Sequence, residues 1–324
     1  MTRSNGWRWA VRALRNEVLE FRLEYPIEET PFAGPNDSLH YYVFSERLFR
    51  DAMELDASGI PVHRSRTFVA YNPAYIAWYA LMQLERSLRH DHAAGREVFL
   101  KQVQWLRDHA VRRDDGNVVW PLTFDWCEGQ CRLRAPWISA MVQGLVISAL
   151  VRAHRIVRDD DLLGLCRGAI GVFEKNVQDG GVRTIEAGHA LYEEYPGFPL
   201  PRVLDGYLFS LLGLHDLATE TRDPKAQDLL NDGISGLRHA LPFWDYRGRW
   251  SWYGAHGYLC PPQYNRLNSA LLAALARITG DVVLARYATA WRPDRLDRWS
   301  ALEVFLVFVL TKNWSRVRHL RTRR

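Results

Sequence analysis

From residue 71 onward, apolar residues recur at helical spacing, and they do so in pairs of segments. Ile138, Met141, Val142, Leu145, Val146, Ala149 and Leu150 keep to i, i+3, i+4, i+7; Leu162, Leu165, Cys166, Ala169, Ile170 and Phe173 repeat the rule after the Asp159-Asp160-Asp161 cap signal. A second pair runs from Leu204, Tyr207, Leu208, Leu211 and Leu212 to Ala226, Leu229, Leu230, Gly233, Ile234 and Leu237 across the Asp223-Pro224 break. A third runs from Ala270, Leu271, Ala274, Leu275 and Ile278 to Leu284, Tyr287, Ala288 and Trp291 across Gly280-Asp281, and an earlier pair spans about 73 to 112. Between the pairs stand short glycine-led strands, Asp115 to Trp120, Asp179 to Thr184 and Arg247 to Tyr253. Their glycines lie 180 − 116 = 64 and 248 − 180 = 68 residues apart. A unit of two antiparallel helices and a hairpin, repeated about four times, buries its apolar faces only against its neighbours. The expected fold is therefore mainly α, an (α/α) toroid of helix pairs with short β-hairpins between them, whose connections gather at one mouth.

The less periodic residues 1–70 are expected to form a mixed N-terminal arm packed on the toroid, with a helix at about 7 to 22 and a proline-rich stretch from Pro26 to Pro35. Residues 71–300 form the toroid, and 301–324 a C-terminal helix with an arginine-rich tail. With 324 residues, 48% of them hydrophobic, the chain has ample material for a core, which excludes a disordered chain. The longest apolar run, Ala301 to Leu310, is interrupted by Glu303 and as a helix reaches only about 15 Å, half the apolar thickness of a bilayer. Met1 to Glu20 carries arginines but no apolar signal core, so a cytoplasmic location is expected, with peripheral membrane contact through the tail. The four cysteines are too few for a disulfide scaffold, and Cys127 and Cys131 lack a second pair or histidines to complete a zinc site, so reduced thiols are expected. Only four of the 42 basic residues are lysine, which leaves 38 arginines. Outside the tail they are spread among acids, which argues against nucleic-acid binding.

Three tyrosines fall where the repeat places loops or mouth-facing positions. Tyr195 follows Glu193-Glu194, Tyr253 closes the third strand, and Tyr264 follows Pro261-Pro262-Gln263. Read singly, each serves core packing, a sugar-stacking platform or proton transfer. His215, on an apolar helix face, reads as a hydrogen-bonded core histidine. No phosphate loop, dinucleotide fingerprint, HExxH motif or EF-hand loop is present, and no organic cofactor or metal is expected.

Glu193-Glu194-Tyr195-Pro196, followed by Val203 to Tyr207 and Ser210 to Leu217, resembles the C-terminal domain of the D-glucuronyl C5-epimerases of heparan sulfate and heparosan synthesis. Pro136 to Gly144, Gly59 to Val62 and Tyr71-Asn72-Pro73 to Leu81 extend the likeness over about residues 59 to 291. The resemblance implies a short β-region against an α/α toroid, and it suggests a short member of bacterial type. It places the family's catalytic tyrosines on Tyr195, Tyr253 and Tyr264 and its catalytic glutamate on Glu194. It adds Tyr71, Asn72, Trp137, Gln143, Arg202, His256 and Arg266 as substrate-binding positions, Trp137 reading equally as core.

C5 epimerisation of a hexuronate removes a proton beside a carboxylate and returns one to the opposite face, so two proton-handling groups must flank the ring. On this reading Glu194 and Tyr264 exchange the C5 proton while Tyr195 and Tyr253 orient the sugar. The enediolate also needs a fixed cation or donors. Here the chain departs from the animal enzymes: their Asp-Leu-Arg-His run is replaced by Tyr253-Gly254-Ala255-His256-Gly257, and Asn265 and Asn268 take histidine places. Arg202 or Arg266 is left to supply the charge, Arg266 reading equally as a solvated side chain. Vertebrate members hold a calcium ion outside the catalytic centre, and this chain has no comparable carboxylate cluster. The expected activity is conversion of D-glucuronate to L-iduronate residues within a uronic-acid-containing glycan, by a monomer or homodimer. The glycan is a bacterial capsule, a heparosan-like chain or a lipid-linked glycan. The alternatives are a uronate polysaccharide lyase on the same fold and a non-catalytic glycan-binding relative.

Overall fold

The computed structural model describes residues 14–21, 26–30, 38–48, 53–90 and 93–322. Residues 14–21 form α1, so the rest of the helix expected at 7 to 22, much of the proline-rich stretch, and Arg323 and Arg324 of the tail lie outside the described residues. Four helix pairs follow: α2 (Pro73–His90) with α3 (Ala93–Asp108), α4 (Ala140–Val157) with α5 (Asp160–Ala169), α6 (Leu204–Thr221) with α7 (Pro224–Trp244), and α8 (Pro262–Thr279) with α9 (Val282–Ala290). A long α10 (Arg298–Thr322) ends the chain as described. The fold is mainly α, as the periodicity requires.

The repeat has a local physical cause at the joints. Each of the last three pairs turns on two residues, a left-handed residue that ends the inner helix (Arg158, Arg222 or Gly280) and an aspartate that caps the outer one. Asp159 accepts from the Asp161 N–H, Asp223 from Lys225, and Asp281 from Val283 and Leu284. Within the array α2 packs on α4, α4 on α6 and α6 on α8, while α3, α5, α7 and α9 lie outside them. The inner helices α4 and α6 are apolar on all sides because they are covered on all sides. Ala140–Val157 is long and apolar enough to cross a membrane, but 83% of it is buried inside this fold. Close approach of α4 and α6 depends on glycine. A Cβ at Gly144 would lie 2.5 Å from the Phe209 carbonyl oxygen, and one at Gly213 2.3 Å from the Gly144 oxygen.

The arm bridges the two ends of the array. Strand β1 (Glu28–Glu29) pairs antiparallel with β2 (Val43–Phe44), and Arg277 of α8 donates to the Thr30 carbonyl. On the other side the Tyr41 N–H donates to Glu85 of α2. Beneath them a buried Arg152–Asp216 ion pair at 2.7 Å joins α4 to α6 and holds the arm through Tyr42, whose hydroxyl donates to Asp216 at 2.7 Å. His215 is satisfied as expected, against Tyr42 at 2.8 Å and Thr219 at 3.3 Å.

Each segment that leads into the N-terminus of an inner helix carries β-structure. Before α2 lies the sheet β3 (Met53–Leu55), β4 (Pro61–Arg64) and β5 (Val69–Ala70). Before α4 lie β6 (Val111–Arg112) with β7 (Val118–Val119) and β8 (Trp126–Glu128) with β9 (Cys131–Leu133). Before α6 lie β10 (Arg183–Glu186) with β11 (His189–Tyr192), and before α8 β12 (Asp245–Tyr246) with β13 (Trp250–Ser251). Gly116 and Gly248 turn their hairpins as the sequence predicts, but Gly180 does not. It ends the 3₁₀ turn Val177–Asp179 in a left-handed conformation, and the strand begins later, at Arg183. The turn of that hairpin falls on Ala187 and Gly188, both at positive φ. All four cysteines are free. A second, smaller core unites Trp250, Cys260, Val304 and Phe308, with Phe21, Tyr253 and Tyr264 against it, so α10 and α1 buttress the wall that carries two of the candidate tyrosines.

Candidate active site

The hairpin-bearing connections enclose a cavity of about 250 Å³ at the N-terminal ends of the inner helices. Glu194, Tyr195, Tyr253 and Tyr264 all line it, drawn from the connection before α6, the connection before α8 and the first turn of α8. The remaining wall is aromatic, with Tyr75, Phe124, Trp126 and Trp137, and carries two more acids, Glu128 and Asp205.

Glu194 owes its direction to the extended backbone that leaves β11, where successive side chains point to opposite sides. Glu193 turns away from the cavity, accepting from Thr184 and Arg202 at 2.7 Å each. Its own backbone is clamped, the N–H donating to Val182 at 2.7 Å and the carbonyl accepting from Ala140 at 3.1 Å. Glu194 therefore enters the cavity, and its Oε2 is buried without a hydrogen-bond partner. It rests on the first turn of α6, where Gly206 leaves room: a Cβ there would lie 2.3 Å from Oε2. Tyr195 packs beside it and against Trp137, ring centroids 5.9 Å apart. Tyr253 stacks on Tyr258 at 5.4 Å and meets Tyr264, in the first turn of α8, edge-on at 5.6 Å.

Burial dominates the electrostatics. It pushes the Glu194 carboxyl well up, and the neighbouring Asp205 charge pushes it further, against a lowering contact from the Tyr195 hydroxyl. Asp205, in the first turn of α6, is pushed up by burial to about 7. The phenols of Tyr195, Tyr253 and Tyr264 are raised well above the ordinary value by burial first and then by the neighbouring acids, Glu128 in every case. They are hydrogen-bond donors at neutral pH. Burial lowers His63, which lines the same cavity, so its imidazole is neutral there. Among the described lining residues there is no arginine or lysine.

Of the expected substrate-binding residues, Trp137 and Asn72 reach the cavity. Trp137 is held by donation from Nε1 to the Phe124 carbonyl at 2.8 Å, and Asn72 caps the start of α2 by accepting from Ala74 at 3.0 Å. The others lie elsewhere. Tyr71 is exposed and donates to Asp56 at 2.8 Å, because its side chain leaves the chain opposite to Asn72. Gln143 is fully buried and saturates backbone groups, donating to Val118 and Ala169 at 2.9 and 3.0 Å and accepting from Trp120 at 3.3 Å. Arg202 is held by Glu193 and by Glu186 at 2.8 Å. Arg266 is exposed, the solvated position. His256 lies beside the cavity, its Nε2 2.9 Å from Glu128 Oε1, in the wall of a neighbouring space of about 170 Å³ that shares Glu128. Asn265 and Asn268 are buried and bond Ser251, so neither faces the cavity. A larger groove of about 810 Å³ lies between α7 and α9, but none of the candidate catalytic residues lines it.

Asp205 and Glu128 are the acids that sequence reading did not single out for chemistry. Asp205 carried a signal, an acid in the first turn of a largely apolar, buried helix. Glu128 carried only its place beside the turn glycine of a cysteine-flanked hairpin.

Residues 113–293, 181 of 324, match the family model described as the D-glucuronyl C5-epimerase C-terminus. A Caenorhabditis elegans protein named D-glucuronyl C5-epimerase is 33% identical over 225 residues, 64% of this chain but 35% of that protein. The chain thus spans about a third of that relative's length. An uncharacterized protein of Methanocaldococcus jannaschii is 27% identical over 211 residues, 60% of this chain and 68% of that protein. The chain belongs to the D-glucuronyl C5-epimerase family by its C-terminal domain.

Proposed function

We propose that this member of the D-glucuronyl C5-epimerase family inverts C5 of D-glucuronate residues within an oligo- or polysaccharide, giving L-iduronate. The observation that carries the reading is the convergence of one buried carboxyl, Glu194, whose Oε2 has no hydrogen-bond partner, and three phenols on one cavity from separate turns of the array.

In the proposed step an ionised Glu194 takes the C5 proton, and the C–H electron pair flows into the substrate carboxylate to give an enediolate. Tyr264 donates its phenolic proton to the other face of C5, and the enediolate electrons form the new C–H bond. Solvent exchange then resets both groups. A carboxyl raised by burial is a stronger base in its ionised form than an ordinary one. The cation expected from Arg202 or Arg266 is not at the cavity. The developing charge is met instead by donors, the phenols of Tyr195 and Tyr253 and the protonated member of the Glu194–Asp205 pair.

The test is incubation with a glucuronate-containing heparosan-type oligosaccharide in D₂O. Deuterium at C5 with chain length intact supports the proposal. Unsaturated, ultraviolet-absorbing ends identify a lyase, and binding without exchange identifies a non-catalytic relative; either result overturns it. Tyr264→Phe is expected to abolish exchange and retain binding.

A further inference from the structure

The C-terminal helix α10 is apolar on two opposite faces, and the fold covers only one of them. Val304 and Phe308 are fully buried against Trp250 and Phe21. On the other side Trp299, Leu302, Leu306, Leu310 and Trp314 are 47–82% exposed. At about 100° per residue these five fall within an arc of about 120°, a continuous stripe roughly 22 Å long with a tryptophan at each end. Isolated exposed apolar residues need no explanation, but a contiguous stripe of large ones does. The adjoining α1, packed on α10 through Phe21 against Phe305 at 5.2 Å, adds exposed Leu14 and Leu19.

The sequence of the α10 segment is strongly basic, although Lys312 and Arg316 are already met by Glu20 and Glu17 of α1. Residues 298–324 contain seven arginines and lysines against one acid, a net of +6, while the whole chain carries +5, so the other 297 residues sum to −1. The one acid, Glu303, is already engaged by Tyr246, Arg247 and Arg249. A second copy docking on this face finds no free acid within α10 to meet the arginines. A polyanionic glycan meets the arginines but leaves the leucines and tryptophans wet. An anionic bilayer satisfies both, since acyl chains take the apolar stripe, headgroups the arginines, and the amphipathic tryptophans the boundary between them. The charges along α10 fit a helix lying in the interface rather than spanning it.

We infer that the exposed face of α10, with the arginine-rich sequence of its C-terminal end, docks this chain on the surface of an anionic phospholipid membrane. The active-site reading and this inference are independent, since no residue of the stripe lines the cavity.

The test is co-sedimentation of the full chain with vesicles of phosphatidylcholine alone and with about one-third phosphatidylglycerol. Binding to the anionic vesicles, weakened by salt, is expected, with little binding to the neutral ones. Leu306→Gln with Leu310→Gln and Trp314→Ser is expected to lower partitioning roughly a hundred-fold. Arg318→Gln and Arg321→Gln are expected to lower it about five-fold each. Both variants are expected to keep the parent's melting temperature and its activity on soluble oligosaccharide. Absence of vesicle binding overturns the inference. So does a concentration-dependent dimer of the parent that the apolar variant abolishes, which assigns the face to a second copy. Binding to heparin but to neither vesicle overturns it in favour of a glycan.

Discussion

Gly206→Ala isolates the position of the Glu194 carboxyl from every other feature of the fold. The added Cβ would lie 2.3 Å from Glu194 Oε2, 2.5 Å from its Cβ and 2.7 Å from its Cδ. Non-bonded carbon contacts settle near 3.5–4.0 Å, so Glu194 must withdraw by about 1 Å. A displacement of that size at a proton-transferring group costs roughly a hundred-fold in rate, or about 2.7 kcal/mol of barrier. Stability moves much less. Alanine favours the helix by about 0.5–1 kcal/mol, overpacking opposes it by about 1–3 kcal/mol, and the net loss is a few degrees of melting temperature. Gly164→Ala in α5 is the control, because its Cβ meets nothing within 4 Å, and it is expected to stabilise the helix without touching activity. The assay is C5 deuterium incorporation at saturating and limiting oligosaccharide, beside a thermal melt. If Gly206→Ala exchanges within about two-fold of the parent while folded, Glu194 does not act from the place its geometry gives it.

Glu193→Gln and Glu194→Gln should separate structure from chemistry: the first loosens Arg202 and lowers the melting temperature with turnover largely kept, and the second abolishes C5 exchange with the fold intact. Gln143→Leu leaves the Val118 and Ala169 carbonyls and the Trp120 N–H without their partner, and a loss of roughly 3 kcal/mol in denaturant unfolding is expected, with activity per folded molecule unchanged. Asp205 is raised to about 7 in the fold and is near 3.9 in the unfolded chain, so the folded state binds the extra proton between those values and stability from this group is lost as pH rises through that window. Asp205→Asn is accordingly expected to gain more melting temperature at pH 8 than at pH 5, and, by removing a negative neighbour of Glu194, to move the acid limb of the turnover profile to lower pH.

The helix pairs were legible because each inner and outer helix carries its own 3.6-residue period and each joint its own aspartate cap. The site was legible only as segments. Alternation after β11 requires that Glu193 and Glu194 face opposite ways, but which one enters the cavity is set by Arg202 and Thr184, and neither is local to the pattern. Asp205 and Glu128 reach the same space from positions 205 − 128 = 77 residues apart, a juxtaposition that no window of sequence contains. Gln143 is singled out by resemblance, and in the fold its side-chain amide satisfies backbone groups of the hairpin and of α5 that the helix buries. The stripe on α10 escaped because a helix apolar on both faces has little amphipathic signal for sequence periodicity to detect.

A cavity holding three carboxyls and, among the described residues, no lining arginine or lysine repels a uronate if all of them are ionised, which sets a condition on how the substrate enters. Burial supplies it, since Glu194 and Asp205 are held toward their protonated forms and a neutral carboxyl donates a hydrogen bond where a carboxylate repels. The same proton that admits the substrate must then leave Glu194 for it to act as base. Binding is therefore favoured at lower pH and proton abstraction at higher pH. KM is expected to rise with pH over the range in which kcat rises, so that kcat/KM passes through a maximum between the two limbs. An arginine-based site holds its substrate carboxylate equally well across that range and shows no such rise in KM.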